Sequence, residues 1–415
     1  MNKAESQRVA GCLELFGYQD TPVLKNADIV VLNTCVVRQS AERKVLGTLS
    51  YLKGIKNTNP HMSILVTGCF VDSKIKELEK HFPHVDLFFK PGGYAELLSW
   101  THKQGMIMSD AKGILSLDNN HLAPYAFVPI IQGCNNFCSY CIVPYRRGRE
   151  KSRAVEEIVC EVSKLAKNRV KEVILLGQNV NSYGHDLPTQ SALSNLLAEL
   201  NNIDGLVRIR FLTNHPKDMS QKLIETIASP GKVCEHISLP AQSGDNDILK
   251  AMRRGYTIEQ YRKLVNNIRN YIPAVALSTD VIVGFPGEAE EQFDRTLLLL
   301  EEIRFDTVHV AAYSPRPDTA ASKEYEDDVP VEIKKNRLNK IEALQAKIAD
   351  EINTQLRGST VEILVEGKKR KKWYGRTRSN KLVFFNSDNG INYVGQLVNV
   401  KISKISPWAL QGDIK

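Results

Sequence analysis

Short apolar runs rich in Val, Ile and Leu recur along the chain, and stretches with helical spacing separate them. Over residues 1–112 the runs are ADIVVLNTC (27–35), MSILVTGC (62–69) and the weaker VDLFFK (85–90), with RQSAERKVLGTLSYLKGI as a helical pattern between the first two. This alternation predicts a parallel α/β sheet. Over residues 120–352 the same rhythm yields six strand candidates: YAFVPIIQG, EVILLGQN, LVRIRFLTN, HISLPAQSG, LSTDVIVGFP and TVHVAAYSP. AVEEIVCEVSKLAKN and TIEQYRKLVNNIRNY are among the helical patterns between them. Six β/α units predict a complete or partial barrel of parallel strands, whose chemistry gathers where the strands end. Nearly every candidate strand here ends in a polar or Gly/Pro cluster.

Residues 353–415 change pattern. STVEILVEGKK, KLVFFNSD and QLVNVKISKIS are short strands divided by turns, which predict a small antiparallel β-barrel. The stretch 333–352 reads as a helix leading into it. The expected fold class is α/β: a parallel N-terminal α/β domain, a partial (β/α) barrel core and a small C-terminal β-barrel.

Charge sharpens this division. The net charge is +8 over 415 residues, yet residues 353–415 alone hold 12 Lys and Arg against 4 Asp and Glu. A basic module on a balanced body points to a polyanion partner, with a merely solubilising surface as the alternative. The run KKRKKWYGRTR (368–378) offers charges to phosphates, and its Trp373 and Tyr374 offer rings to unstacked bases. Lys368, Lys369, Arg370, Lys371, Lys372 and Trp373 are the expected RNA-binding residues. No apolar run approaches the ~20 residues of a membrane span. The first residues lack a secretory pattern, so a cytoplasmic protein is expected. Eight cysteines then fit a reducing compartment, where clustered thiols serve metals or catalysis.

Three of them, Cys134, Cys138 and Cys141, form C-x3-C-x2-C directly after the first barrel strand. Structural zinc takes four ligands, and no fourth Cys or His follows at a suitable distance. Three thiolates instead suit three corners of a [4Fe–4S] cube, whose fourth iron keeps a position for a non-protein ligand. Phe137 and Tyr140, inside the motif, would shield such a cluster from water. Cys35 and Cys69 each close a strand of the first domain, so two thiols reach one sheet edge, where open α/β sheets bind ligands.

The C-x3-C-x2-C motif at the head of a β/α barrel resembles the radical S-adenosylmethionine (SAM) enzymes. A narrower resemblance covers nearly the whole chain. NTCVVRQSAERK and TGC, then GCNNFCSYCIVPYRRGRE, LLGQNVNSYG (175–184), QSGDNDILKAMRRGYT (242–257), TDVIVGFPGE (279–288), AAYSPRPDTAA (311–321) and a basic, TRAM-like β-module are similar to MiaB-type tRNA methylthiotransferases. The resemblance implies that Cys134, Cys138 and Cys141 hold the [4Fe–4S] cluster that binds SAM and splits it to a 5′-deoxyadenosyl radical. It implies that Cys35 and Cys69 are two of three ligands of an auxiliary [4Fe–4S] cluster that carries the transferred sulfur. The implied product is a methylthio group on C2 of N6-isopentenyladenosine at position 37 of tRNA. The implied partners are tRNA and an electron donor of flavodoxin or ferredoxin type, and a monomer is expected.

In the family the third auxiliary cysteine ends a strand reading GC-x-MN, and this chain begins at MN. Two expectations compete: the recorded start is late, or the auxiliary site is lost. An unpaired sheet edge favours the late start, with the SAM cluster assembled and little methylthiolation by the chain as written. Cys12 falls on the apolar side of a helical pattern with Val9, Leu13 and Phe16 and is expected in the core.

Arg146, Arg147, Arg149, Lys151 and Arg153 follow the cysteines and are expected to meet carboxylate or phosphate. Gln178 and Asn179 are placed near SAM by loose resemblance, with a plain strand-end cap as the other reading, and Arg147 is placed there by its position after the cysteines. For Asp280, Gly284 and Pro286 a ligand contact and plain turn chemistry stand equal. His215, His236 and His309 are read as structural, and Cys160 and Cys234 as packed thiols. Methylthiolation of another modified adenosine or of a ribosomal protein, and a non-catalytic RNA-binding iron–sulfur protein, remain the alternatives.

Overall fold

In the computed structural model of the protein, Val30, Val31 and Leu32 lie in parallel register against Ile64, Leu65 and Val66. The described residues are 1–35, 39–71, 75–105, 123–188, 191–387 and 390–415, with the side chains of Gln39 and Ser40 left aside. They group into two compact units: Met1–Asn119 with Cys141–Arg149, and Asn120–Tyr140 with Glu150–Lys415.

In the first unit, β1 (Ile29–Thr34), β2 (Ser63–Gly68) and β3 (Leu87–Phe88) form a parallel sheet in that order. Alternation along β2 sends Ile64 and Val66 to one face and Leu65 to the other. Val45, Leu49 and Leu52 of helix Gln39–Thr58 pack on the first face. Val9 and Leu13 of helix Asn2–Glu14 pack on the second, with Leu97 of helix Tyr94–Lys103. Cys12 is half-buried against that second cluster. The third expected strand, 85–90, shortens to two residues.

In the second unit, β4 (Tyr125–Pro129), β7 (Glu172–Leu176) and β8 (Arg208–Phe211) make one parallel sheet. A second holds β9 (His236–Ser238), β10 (Ala276–Val283) and β11 (Thr307–Ala312). A parallel bridge runs from Ile209 of β8 to Val233, just before β9. Among the described residues β4 and β11 do not pair, so the six strands form an open barrel. The expected strand 125–133 divides: Ile130 makes its last bond to Leu176, and β5 (Ile131–Gln132) then turns to pair with β6 (Lys151–Ser152). Helix Val155–Lys167 shows why the outer layer forms. Ile158, Val162, Leu165 and Ala166 recur at helical spacing and are buried, Glu156 and Glu157 occupy the first turn, and Lys164 and Lys167 the last.

The C-terminal module is a closed five-stranded barrel of β12 (Thr360–Lys369), β13 (Lys372–Arg376), β14 (Leu382–Asn386), β15 (Leu397–Ile405) and β16 (Leu410–Ile414). Three strands were expected. β13 lay hidden in the basic run, and β16 pairs with β14 in parallel, so the barrel is not wholly antiparallel. It groups with the β/α barrel because buried arginines of β8 reach it. Arg208 donates to the Arg376 carbonyl at 2.7 Å and to Glu362 at 2.9 Å. Arg210 donates to Glu172 at 3.0 Å and to the carbonyls of Thr377 and Arg378. Arg378 returns to Glu235 at 2.6 Å, and Lys381 to Asp306 at 2.8 Å.

Candidate metal centre and nucleic-acid interface

Residues 133–140 are held at several points within the second unit. Gly133, at positive φ, donates its N–H to Gln178 Oε1 at 2.7 Å. Asn135 and Glu150 bond each other reciprocally through backbone N–H and side-chain oxygen, at 3.2 Å each way. Ser139 N–H reaches the Met252 carbonyl at 3.0 Å and its hydroxyl the Ala251 carbonyl at 2.7 Å, while Ala321 N–H donates to the Ser139 carbonyl. The motifs around 178, 251 and 321 thus brace the cysteine loop. Cys134 and Cys138 are buried, and Cys141 half-buried. Burial pushes the Cys134 thiol up, against a hydrogen bond from Asn136, so a proton must leave before this sulfur binds metal. Cys138 Sγ accepts from Arg254 Nη1 at 3.3 Å. Among the described residues no three Cys, His, Asp or Glu side chains stand together as a ready-made metal set.

In the first unit, Thr34 and Gly68 are a registered pair, so Cys35 and Cys69 leave neighbouring strands at one level. Gly68 has φ +95°, and a Cβ there would lie 2.3 Å from the Thr34 carbonyl oxygen, so the close approach needs glycine. Arg147 donates to Cys69 Sγ at 3.4 Å and to Asn2 Oδ1 at 3.1 Å. In the structure its guanidinium serves Cys69 and Asn2. Val36–Arg38 of the NTCVVR motif lie outside the described residues. Arg153 is likewise occupied, by Glu161 at 2.6 Å and the Pro129 carbonyl at 2.8 Å. A carboxylate does meet it, but one of the protein's own.

On the C-terminal barrel, Lys369 pairs with Lys372 across a two-residue turn of Arg370 and Lys371, both at positive φ. Such geometry matches strand twist in a tight hairpin. Lys368, Lys369, Arg370 and Lys371 are exposed, and Lys372 donates to Gln411 at 3.0 Å. Trp373 is a correction. It is 7% exposed inside the barrel, edge-on to Tyr393 at 5.5 Å, with Lys368 over its ring at 4.9 Å. A ring so enclosed offers no face to a base. Tyr374, half-buried beside Phe384, takes over the stacking expectation.

Matches to known proteins follow the same divisions. Residues 128–300 match the Radical SAM superfamily, residues 1–90 the Uncharacterized protein family UPF0004, and residues 354–415 the TRAM domain. A tRNA-2-methylthio-N(6)-dimethylallyladenosine synthase of Dehalococcoides mccartyi (strain ATCC BAA-2266 / KCTC 15142 / 195) is 49% identical over all of this chain and 96% of its own length. The synthase of the same name from Thermoanaerobacter pseudethanolicus is 43% identical over all of this chain and 90% of its own. The chain belongs to this family of MiaB-type tRNA methylthiotransferases. Of solved structures, the radical SAM methyltransferase TsrM from Kitasatospora setae aligns with TM-score 0.52 at 15% identity. That alignment covers 75% of this chain and 68% of the other, and it speaks to the fold.

Within this methylthiotransferase, several motif residues have structural duties. Gln178 braces Gly133, and Asn179 donates to Asp218 at 2.7 Å. At Gly284, φ is +67° and a Cβ would meet Lys334 Cγ at 2.3 Å, so packing rather than a ligand explains that glycine. Cys234 is buried with its thiol pushed up to about 11 by desolvation. Cys160 is exposed, which corrects its reading as a packed thiol: its helix position faces away from the buried stripe. Arg254 and the Asn135–Glu150 clasp were not singled out in the sequence, although Arg254 lies in the quoted QSGDNDILKAMRRGYT. Among the described residues no helix is long and apolar enough to cross a membrane.

His215 and His236 are buried and kept neutral. Desolvation, helped by Arg254 at His215 and by Arg210 at His236, lowers them to about 2 and about 3. Both bind a proton more readily when unfolded, so the stability they support is present above about pH 6.5 and falls as pH drops toward 3. Two such groups give a slope of up to about 2.7 kcal/mol per pH unit in that window. Unfolding midpoints measured between pH 7 and 4 are expected to fall less steeply in His236→Gln than in the parent.

Proposed function

We propose that this protein is a radical SAM methylthiotransferase that adds a methylthio group to C2 of N6-isopentenyladenosine at position 37 of tRNA. The observation that carries this reading is the braced C-x3-C-x2-C loop, in a chain 49% identical to a synthase named for that product. Cys134, Cys138 and Cys141 would hold a [4Fe–4S] cluster. Their fit rests on a soft thiolate donor set and on the buried Arg254, which donates to Cys138 with no carboxylate among its partners in the described residues. When bound, that cluster and SAM supply the one-electron chemistry that opens the adenosine C2–H bond. Cys35 and Cys69 would be ligands of the second [4Fe–4S] cluster, with Arg147 on Cys69.

The chain's own residues do the rest. Gln178, Asn135, Glu150 and Ser139 hold residues 133–140, and with them Cys134 and Cys138, in one conformation. Phe137 and Tyr140 limit water. Residues 1–112 would carry the second cluster, 120–352 the SAM chemistry, and 353–415 the RNA. We assign tRNA as substrate, a flavodoxin- or ferredoxin-type protein as electron donor, and a monomer in the cytoplasm as the working form.

The deciding experiment is mass spectrometry of tRNA nucleosides from a strain lacking this chain. The 2-methylthio nucleoside is expected to vanish and to return with the gene, and an unchanged nucleoside profile refutes the assignment. RNA binding has its own test. Neutralising Lys368, Lys369, Arg370 and Lys371 together is expected to flatten the log–log salt dependence of tRNA binding by about 3, at about 0.7–0.9 per phosphate contact. An unaltered slope places the contact elsewhere.

A further inference from the structure

Arg254 is 5% exposed, and its guanidinium is spent on three acceptors: Cys138 Sγ at 3.3 Å, the Pro240 carbonyl at 3.0 Å and Tyr256 Oη at 3.2 Å. Among the described residues no carboxylate accepts from it. Elsewhere in this unit the buried cations Arg210 and Arg337 have carboxylates, Glu172 at 3.0 Å and Glu288 at 2.8 Å. A guanidinium taken out of water with only neutral acceptors is costly, so its place beside a cysteine sulfur points to an anion at that sulfur.

The surroundings fix the contact. Tyr256 Oη, with one proton to give, lies 2.7 Å from the Ala241 carbonyl and 3.1 Å from the Pro240 carbonyl, and its ring lies under the Arg254 guanidinium at 5.4 Å. Ser139, next to Cys138, is bonded to Ala251 and Met252, just before Arg254. The loop bearing the sulfur and the turn bearing the cation are therefore tied together at adjacent residues. His215 stands edge-on to Tyr256 at 5.8 Å and adds no charge while neutral.

Resting on the cluster reading above, we propose that Arg254 is a positioning residue for the SAM-binding cluster. It donates to the Cys138 sulfur, supplies the counter-charge, and thereby raises the cluster's reduction potential. Each one-electron reduction adds a negative charge to the cluster, the electron coming from an external one-electron donor. A fixed neighbouring cation favours the reduced form, and hydrogen bonds to cluster sulfurs act in the same direction. Removing it should leave a cluster that is harder to reduce.

The test uses the full chain carrying Cys35→Ala and Cys69→Ala, so that one cluster is observed. It is loaded anaerobically with iron and sulfide, then titrated with dithionite while electron paramagnetic resonance follows the reduced cluster. At a fixed potential, Arg254→Gln is expected to lower the reduced-to-oxidised ratio about tenfold, equivalent to about 59 mV for one electron. Arg254→Lys, which keeps the charge, should fall between. An Arg254→Gln protein that holds as much iron as its parent and titrates identically overturns the proposal.

Melting of the iron-free proteins separates this role from a structural one. Without a cluster the buried charge lacks its partner, so its removal relieves an uncompensated cation. Arg254→Gln should then melt no lower than its parent. A clearly lower iron-free melting temperature overturns the proposal by making Arg254 a part of the scaffold. Loss of iron with unchanged iron-free melting supports it. A parent that takes up no iron at all fells the cluster reading and this proposal together, and its lack of colour distinguishes that outcome from the others.

Discussion

Cys138→Ala is expected to abolish 5′-deoxyadenosine release from SAM and to remove about four iron atoms per chain. A methyl group cannot replace a thiolate donor, and two remaining thiolates leave the cube short of a corner. Cys134→Ala and Cys141→Ala should match it. Cys160→Ala provides the control, because Cys160 is exposed on the outer helix, and iron and activity should be unchanged. Iron assay with chromatography of the nucleoside product reads both quantities. Cys138→Ala protein that still releases 5′-deoxyadenosine would leave the C-x3-C-x2-C motif without its assigned role.

Arg210→Ala should destabilise the second unit by about 3–5 kcal/mol, the range for breaking a buried ion pair from one side. Arg210 and Glu172 side chains are 2% and 6% exposed, so alanine strands a carboxylate in the interior. It also removes the donors to Thr377 and Arg378, which help dock the C-terminal barrel. Denaturant unfolding followed by circular dichroism measures the loss. Arg210→Met combined with Glu172→Leu should recover most of it, since a packed apolar pair avoids desolvation. The exposed pair Arg253 and Glu324 sets the contrast: 49% and 46% exposed, it should cost under about 1 kcal/mol when broken. Equal losses at both sites would contradict this ranking of buried over exposed charge.

Legibility differed by kind of information. The six barrel strands were readable because each is a local run whose burial leaves a compositional trace. β13 was not, because its Lys and Arg belong to the outer face and masked the alternation that buries Trp373 and Gly375. The hairpin at Arg370 and Lys371 carries no Asn-Gly or Gly signal, so its turn was silent too. Arg147 and Arg153 were read as ligand-seeking because charge in sequence shows no partner. Cys69 and Glu161 are 78 and 8 residues away from them.

By itself the sequence determined the order of the six β/α-barrel strands, the placement of thiols at strand ends, the basic C-terminal module and the family to which the chain belongs. These depend on periodicity, spacing and motif, all of which are local along the chain. Only the tertiary structure decided that Trp373 is core, that Arg208 and Arg210 dock the C-terminal barrel, and that Arg254 meets Cys138 across 116 residues. Such contacts are set by strand register and by which side chains share one buried space. A buried charge must find its counterpart wherever the fold brings one, however far apart the two lie in the chain.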